Sequence, residues 1–217
     1  MTVSLVCPQC GRARTADPAL HGLCPACLLA AVASSDDDDR ECPYEVLAPI
    51  EEDALGVTYL AQWKRAPVPV FAALKVVRAA DGPAILSRFH QWQPALARLH
   101  HPGAAKVIDA GLTMDGSVYI ASQYVAGSPL FEMLSRQSFG RGDRVEIARQ
   151  LTEAVGAAHV AGVVHLQLDA SKVKVSTAGG LHASIVSFGL GAIAEGRVGG
   201  PDIDRLALEH LIRRLDL

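Results

Sequence analysis

Short apolar runs and a change of period organise most of this chain. Tyr44-Glu45-Val46-Leu47, residues 56–61, residues 70–77, Val107-Ile108 and Val118-Tyr119-Ile120 are rich in β-branched and aromatic residues and are separated by turn formers. They predict five strands of an antiparallel sheet. Between the third and fourth runs, Ile85, Phe89, Trp92, Leu96 and Leu99 recur at helical spacing, which predicts a helix from Ile85 to about Leu99. Pro94 lies inside that span and is expected to kink or shorten it. Beyond the fifth strand the period becomes helical. Leu130 to Leu134 predict a short helix, and Asp143 with Glu146 form a capping box for a longer one with Val145, Ala148, Leu151, Val155 and Ala158 on its apolar face. Val173-Lys174-Val175 and Ile185-Val186 then bracket a glycine turn as two more strands.

The first 33 residues follow another logic. Cys7-Pro8-Gln9-Cys10 and Cys24-Pro25-Ala26-Cys27 are two C-x-x-C pairs. Each aims two thiolates at one point, and together they complete a tetrahedron suited to zinc, with iron in a rubredoxin-like arrangement as the alternative occupant. A segment this short needs such a staple, because it cannot bury a core. Four thiolates close the coordination sphere, so the expected role is structural. The module resembles a zinc ribbon. Its charged side chains are Arg12, Arg14 and Asp17, and it has no aromatic residue for base stacking, so nucleic-acid binding is not expected. Leu28 to Val32 continue as a short apolar helix that could pack on a neighbour or a partner. Residues 34–42, with four consecutive aspartates, read as an acidic linker.

Composition adds boundaries. With 217 residues, 50% of them hydrophobic and 20% charged, the chain can bury one sizeable core beside a small appendage. A net charge of −3 gives no general attraction to nucleic acid or anionic membranes. No apolar run reaches the roughly 18 residues that span a bilayer, and the N-terminus lacks the apolar core of a secretory signal. A cytoplasmic protein without a membrane segment is the expectation.

The chemistry-bearing stretch runs from residue 159 to 190. His165-Leu166-Gln167-Leu168-Asp169-Ala170-Ser171-Lys172 followed by Ser187-Phe188-Gly189 resembles the H-R-D-L-x-x-x-N and D-F-G loops of eukaryotic-like (bacterial) Ser/Thr protein kinases. Ala73-Leu74-Lys75-Val76 is similar to that family's V-A-I-K strand, and Gln123-Tyr124-Val125-Ala126-Gly127 to its hinge. The resemblance implies that Gln167 stands where the family has its catalytic base, and Lys172 and Ser187 where it has its magnesium ligands. An amide cannot take a proton at neutral pH, an ammonium repels a metal, and a hydroxyl is a poor substitute for carboxylate. Losing the base alone costs about 10²–10⁴ in rate. Lys75 is the retained catalytic-type residue. Its helical glutamate partner is replaced by Trp92, and Glu51, Glu52 and Asp53 stand at the phosphate loop where the family places glycines, so Lys75 is expected to pair with those acids or to project to water. His165 is expected to pack near Phe188. Lys75, Gln123 and Val125 are the residues left to contact a nucleotide, with small Ser122 beside them.

After Gly189 only residues 190–200 stand where relatives have a long activation segment, and residues 202–208 are similar to the start of the large lobe's central helix. Ile203, Leu206, Leu211 and Leu215 on that helix are expected to have an exposed side. The resemblance therefore predicts an α+β, two-lobed kinase-like fold: small lobe 43–122, hinge 123–127 and truncated large lobe 128–217, preceded by the zinc module 1–33. It implies a catalytically inactive pseudokinase that scaffolds or regulates a protein partner, another kinase for example, or self-associates through the truncated lobe. No catalytic residue is assigned, and ATP and Mg²⁺ are not expected to bind. Two alternatives are an active ATP-dependent kinase with Asp169 as a displaced base, and a zinc-stapled adaptor.

Overall fold

The computed structural model describes residues 5–6, 13–14, 42–53, 55–77, 82–113 and 115–216. The chain divides into two compact units, Met1–Glu41 and Cys42–Leu217. In the first unit β1 (Leu5–Val6) pairs antiparallel with β2 (Ala13–Arg14). Cys7, Cys10, Cys24, Cys27, the apolar segment 28–32 and the aspartate run lie outside the described residues.

The second unit begins with a five-stranded antiparallel sheet made of β3 (Tyr44–Asp53), β4 (Gly56–Trp63), β5 (Phe71–Val77), β6 (Val107–Leu112) and β7 (Val118–Gln123), in the order β3-β4-β5-β7-β6. All five predicted strands are present. Covered on both sides, β7 is buried from Val118 to Ser122, as its unbroken apolar run requires. Lys75 on central β5 stands opposite Thr58 of β4 and Ile120 of β7. The edge strand β3 carries two register irregularities, between Val46 and Ala48 and between Pro49 and Glu51. On one face of the sheet Tyr44, Ala61, Ala72, Leu74, Tyr119 and Ala121 form a separate small core.

Helix α1 (Gly82–Arg98) runs through Pro94 and is not shortened by it. Pro94 is exposed, so the backbone donor it lacks is missing from the solvent side, where water can satisfy the freed carbonyl. Ile85, Phe89 and Leu96 are buried along the helix and Leu99 just beyond it, while Trp92 is only half-buried, against Val164, Leu166 and Ala192.

The rest is mainly helical. It contains β8 (Ser128–Pro129), α2 (Leu130–Arg136), α3 (Arg141–Val160), β9 (Val173–Ser176), β10 (His182–Ile185), α4 (Leu190–Glu195) and α5 (Pro201–Arg213). β10, β9 and β8 pair in that order. The expected cap of α3 is displaced by one turn. Asp143 occupies the third helical position and its Oδ2 accepts from the N–H of Gly140 at 3.0 Å, while Glu146 reaches forward to Arg149 and Gln150. The helix buries Ile147 beside Ala148, Leu151, Val155 and Ala158 and leaves Val145 49% exposed, so the apolar face includes Ile147 in place of Val145. On α5, Ile203 and Leu206 are exposed as expected, but Leu211 and the following Leu215 are fully packed. One core runs through both halves, joining Ile85, Phe89 and Ile120 to Leu151, Ile185, Phe188 and Ile193. Among the described residues no helix is long and apolar enough to cross a membrane.

Candidate functional site

The loop at 165–172 takes its shape from a residue far along the chain. Asp204, on the first turn of α5, is completely buried. Its Oδ2 accepts the backbone N–H of His165 at 2.7 Å and its Oδ1 that of Leu166 at 2.8 Å, and His159 Nε2 lies 2.9 Å from Oδ2. Leu166 needs that hold, because its φ of +63° is a left-handed conformation that side chains disfavour. Ser187 shares the property, with φ +68°. Sequence reasoning missed Asp204, since the helix match was begun two residues early, at the exposed Asp202. The available signal was the spacing of Asp204-Arg205-Leu206-Ala207-Leu208, where one acid precedes the apolar positions of a buried helix.

His165 is buried as expected. Its Nε2 lies 2.9 Å from the carbonyl of Val186, and its ring meets Phe188 edge to face with centroids 5.1 Å apart. Burial pushes its pKa down, against the opposing pull of the Val186 carbonyl and the Asp204 charge, so the ring is held neutral.

The side chains at the reacting positions are engaged elsewhere. Gln167 Nε2 donates to Glu195 Oε2 at 2.8 Å, and Arg197 pairs with the same carboxylate. Asp169 accepts the N–H of Ser171 at 2.6 Å and caps the turn 170–172. Lys172 Nζ lies 2.9 Å from Glu51 Oε1 and 3.3 Å from Asp53 Oδ2. The other oxygen of Asp53 lies 2.5 Å from Lys75 Nζ, so one carboxylate joins two ammonium groups. Lys75 therefore takes the first of its two expected positions, paired with an acid of the 51–53 hairpin. The partnership of Lys172 was not foreseen, because nothing in the local sequence places it 121 residues away from its acid.

Partial burial opposes the charge on Asp53, but the hydrogen bonds and charges of Lys75 and Lys172 outweigh it and hold the carboxyl below its ordinary range. Burial likewise works against the Lys172 ammonium. Glu51 and Asp53 more than compensate and push its pKa up. Asp53 and Lys172 are thus each held in the charged form near neutral pH.

Two clefts flank these ion pairs. The hinge-side cleft holds about 70 Å³ and is lined by Ile50, Ala73, Lys75, Gln123, Val125 and Ser187 among others. Pockets that take drug-sized ligands run to about 300–1,000 Å³. The backbone N–H of Gln123 already donates to Lys106 at 2.7 Å. At the end of the hinge, Gly127 passes so close to Val175 that a Cβ would sit 2.7 Å from its carbonyl oxygen. The outer cleft, about 440 Å³ and open, is lined by Gln167, Asp169, Lys172, Glu195 and Arg197, with Glu51 bordering both spaces. Lys75, Gln123, Val125 and Ser187 thus share one cleft, and Gln167 and Lys172 face the other. The residues present do not fit magnesium. Lys172 brings an ammonium to the place of a ligand, and Ser187 offers a lone hydroxyl. Among the described residues no cluster of three or more His, Cys, Asp or Glu is arranged to hold a metal.

No protein-family model matches the chain. It is 31% identical over 167 residues to the serine/threonine-protein kinase pkn3 of Myxococcus xanthus, which covers 75% of this chain and 30% of that protein. Against pkn2 of the same organism the identity is 26% over 157 residues, covering 70% and 18%. The chain thus spans less than a third of the length of these curated relatives. The kinase domain of Mycobacterium tuberculosis PknI superposes with a TM-score of 0.63 at 25% identity, over 80% of this chain and 72% of that one. The fold is that of a protein kinase domain, and the relatives are bacterial Ser/Thr protein kinases.

Proposed function

We propose that this kinase-fold chain is a signalling protein that acts by binding and not by phosphoryl transfer. One observation carries the reading: the positions of base and metal ligands hold Gln167, Lys172 and Ser187, and Lys172 Nζ is paired with Glu51 and Asp53. Catalysis of phosphoryl transfer is positioning plus electrostatic stabilisation, and a metal bridging the phosphates supplies several kcal/mol of it. No carboxylate takes the metal ligands' places, and Asp169 spends an oxygen on its own turn. A protein partner in the cytoplasm, another kinase or a second copy, is the proposed target, and the exposed Ile203 and Leu206 of α5 support an apolar contact. Incubation with labelled ATP and Mg²⁺ or Mn²⁺ is expected to give no incorporation. Incorporation that disappears in Lys75→Met would overturn the proposal.

The N-terminal cysteines are proposed to hold one structural zinc. The pairing of β1 with β2 supports this, since Cys7 and Cys10 fall in the sequence between those strands. Elemental analysis of the purified protein should find about one zinc per chain, and Cys7→Ser with Cys24→Ser should abolish it. Zinc retained by that double variant would refute the assignment.

A further inference from the structure

Glu51, Asp53, Lys75 and Lys172 form a closed set of two acids and two bases drawn from both halves of the kinase fold. The acids lie at the end of β3, Lys75 on central β5, and Lys172 on the turn before β9. Both lysines are well shielded, with side chains 6% and 11% exposed. Two shielded ammonium groups converging on one point constitute an anion site, because each demands a negative partner in a medium that screens poorly. Here that partner is the chain itself. The carboxylates also form the wall between the two clefts, since Glu51 borders both and Asp53 faces the outer one.

We propose that Glu51 and Asp53 mask a built site for a polyphosphate chain, occupying the two lysines as an internal substitute for its oxygens. The sheet and the helical half are thereby fastened together without any ligand. A polyanion can enter only by displacing the hairpin, against the repulsion of its carboxylates. The inference rests on the ion pairs and not on the absence of catalysis, so it is tested separately from the incorporation assay.

The variant Glu51→Gln with Asp53→Asn keeps shape and removes charge. Calorimetric titration with inorganic tripolyphosphate, and in parallel with ATP free of metal, should show binding at least about tenfold tighter than to the unaltered protein for both probes. Adding Lys172→Ala to that variant should erase the gain. Circular dichroism shows whether each variant is folded, and Asp53→Asn alone, expected to give part of the gain, serves if the double variant is not. No gain in a folded variant, a gain for ATP without one for tripolyphosphate, or a gain indifferent to Lys172→Ala would overturn the masking proposal.

Discussion

Asp204→Ala is expected to cost the protein about 3–5 kcal/mol of stability, the range found when a buried charged partner is removed. The loss has three parts. The N–H groups of His165 and Leu166 would be left buried without an acceptor, at about 1–3 kcal/mol each, and His159 would lose its partner. Leu166 would also lose the contact that holds its left-handed backbone. Asp204→Asn should recover about half, because an amide offers one acceptor oxygen where both carboxylate oxygens now work. Urea denaturation at neutral pH measures both variants, and a loss below about 1 kcal/mol for the alanine would show that the loop does not depend on this residue. A domain of this size commonly has about 5–15 kcal/mol in total, so the effect is severe.

Phe188→Ala should cost a similar amount, about 3–5 kcal/mol, by opening a cavity beneath a ring that is completely buried. Phe188→Leu fills most of that space and should cost about 1–2 kcal/mol. The ring also helps to keep water from His165, and this gives a second signature. The folded protein holds His165 below the ordinary histidine range, so below about pH 6.5 the unfolded chain takes up a proton that the folded one refuses. Stability therefore falls as pH drops through that range, by up to about 1.4 kcal/mol per unit for this group. Stability measured from pH 7.5 to 5 should fall less steeply in Phe188→Ala than in the unaltered protein, since water in the cavity lets His165 charge in place. An unchanged slope would show that Phe188 does not govern the burial of His165.

Much of the architecture could be read before any coordinates. Strands announced themselves through β-branched runs, and His165 with Phe188 fell where the motif placed them. What failed to show depended on distance along the chain. Asp204 looks like any acid near a helix start, and only the folded loop reveals that its oxygens serve residues 38 and 39 positions away. The join between Lys172 and Glu51 was hidden for the same reason, because periodicity reports faces of one element and not which faces meet. Errors of a turn, as at Asp143, arose because Gly140 carries no side chain to announce a cap. Pro94 misled in the opposite direction, since its cost depends on whether solvent or core receives the freed carbonyl.

The irregular pairing of β3 bears on how the molecule behaves in concentrated solution. As an outer strand of ten residues exposing Val46, Leu47 and Ile50, it would ordinarily invite another chain to add itself edge to edge and begin a fibre. Two register irregularities break the flat run of donors and acceptors, and Pro49 removes one donor. A second copy laid alongside would find that run interrupted, so Val46, Leu47 and Ile50 stay available for a specific contact without seeding aggregation.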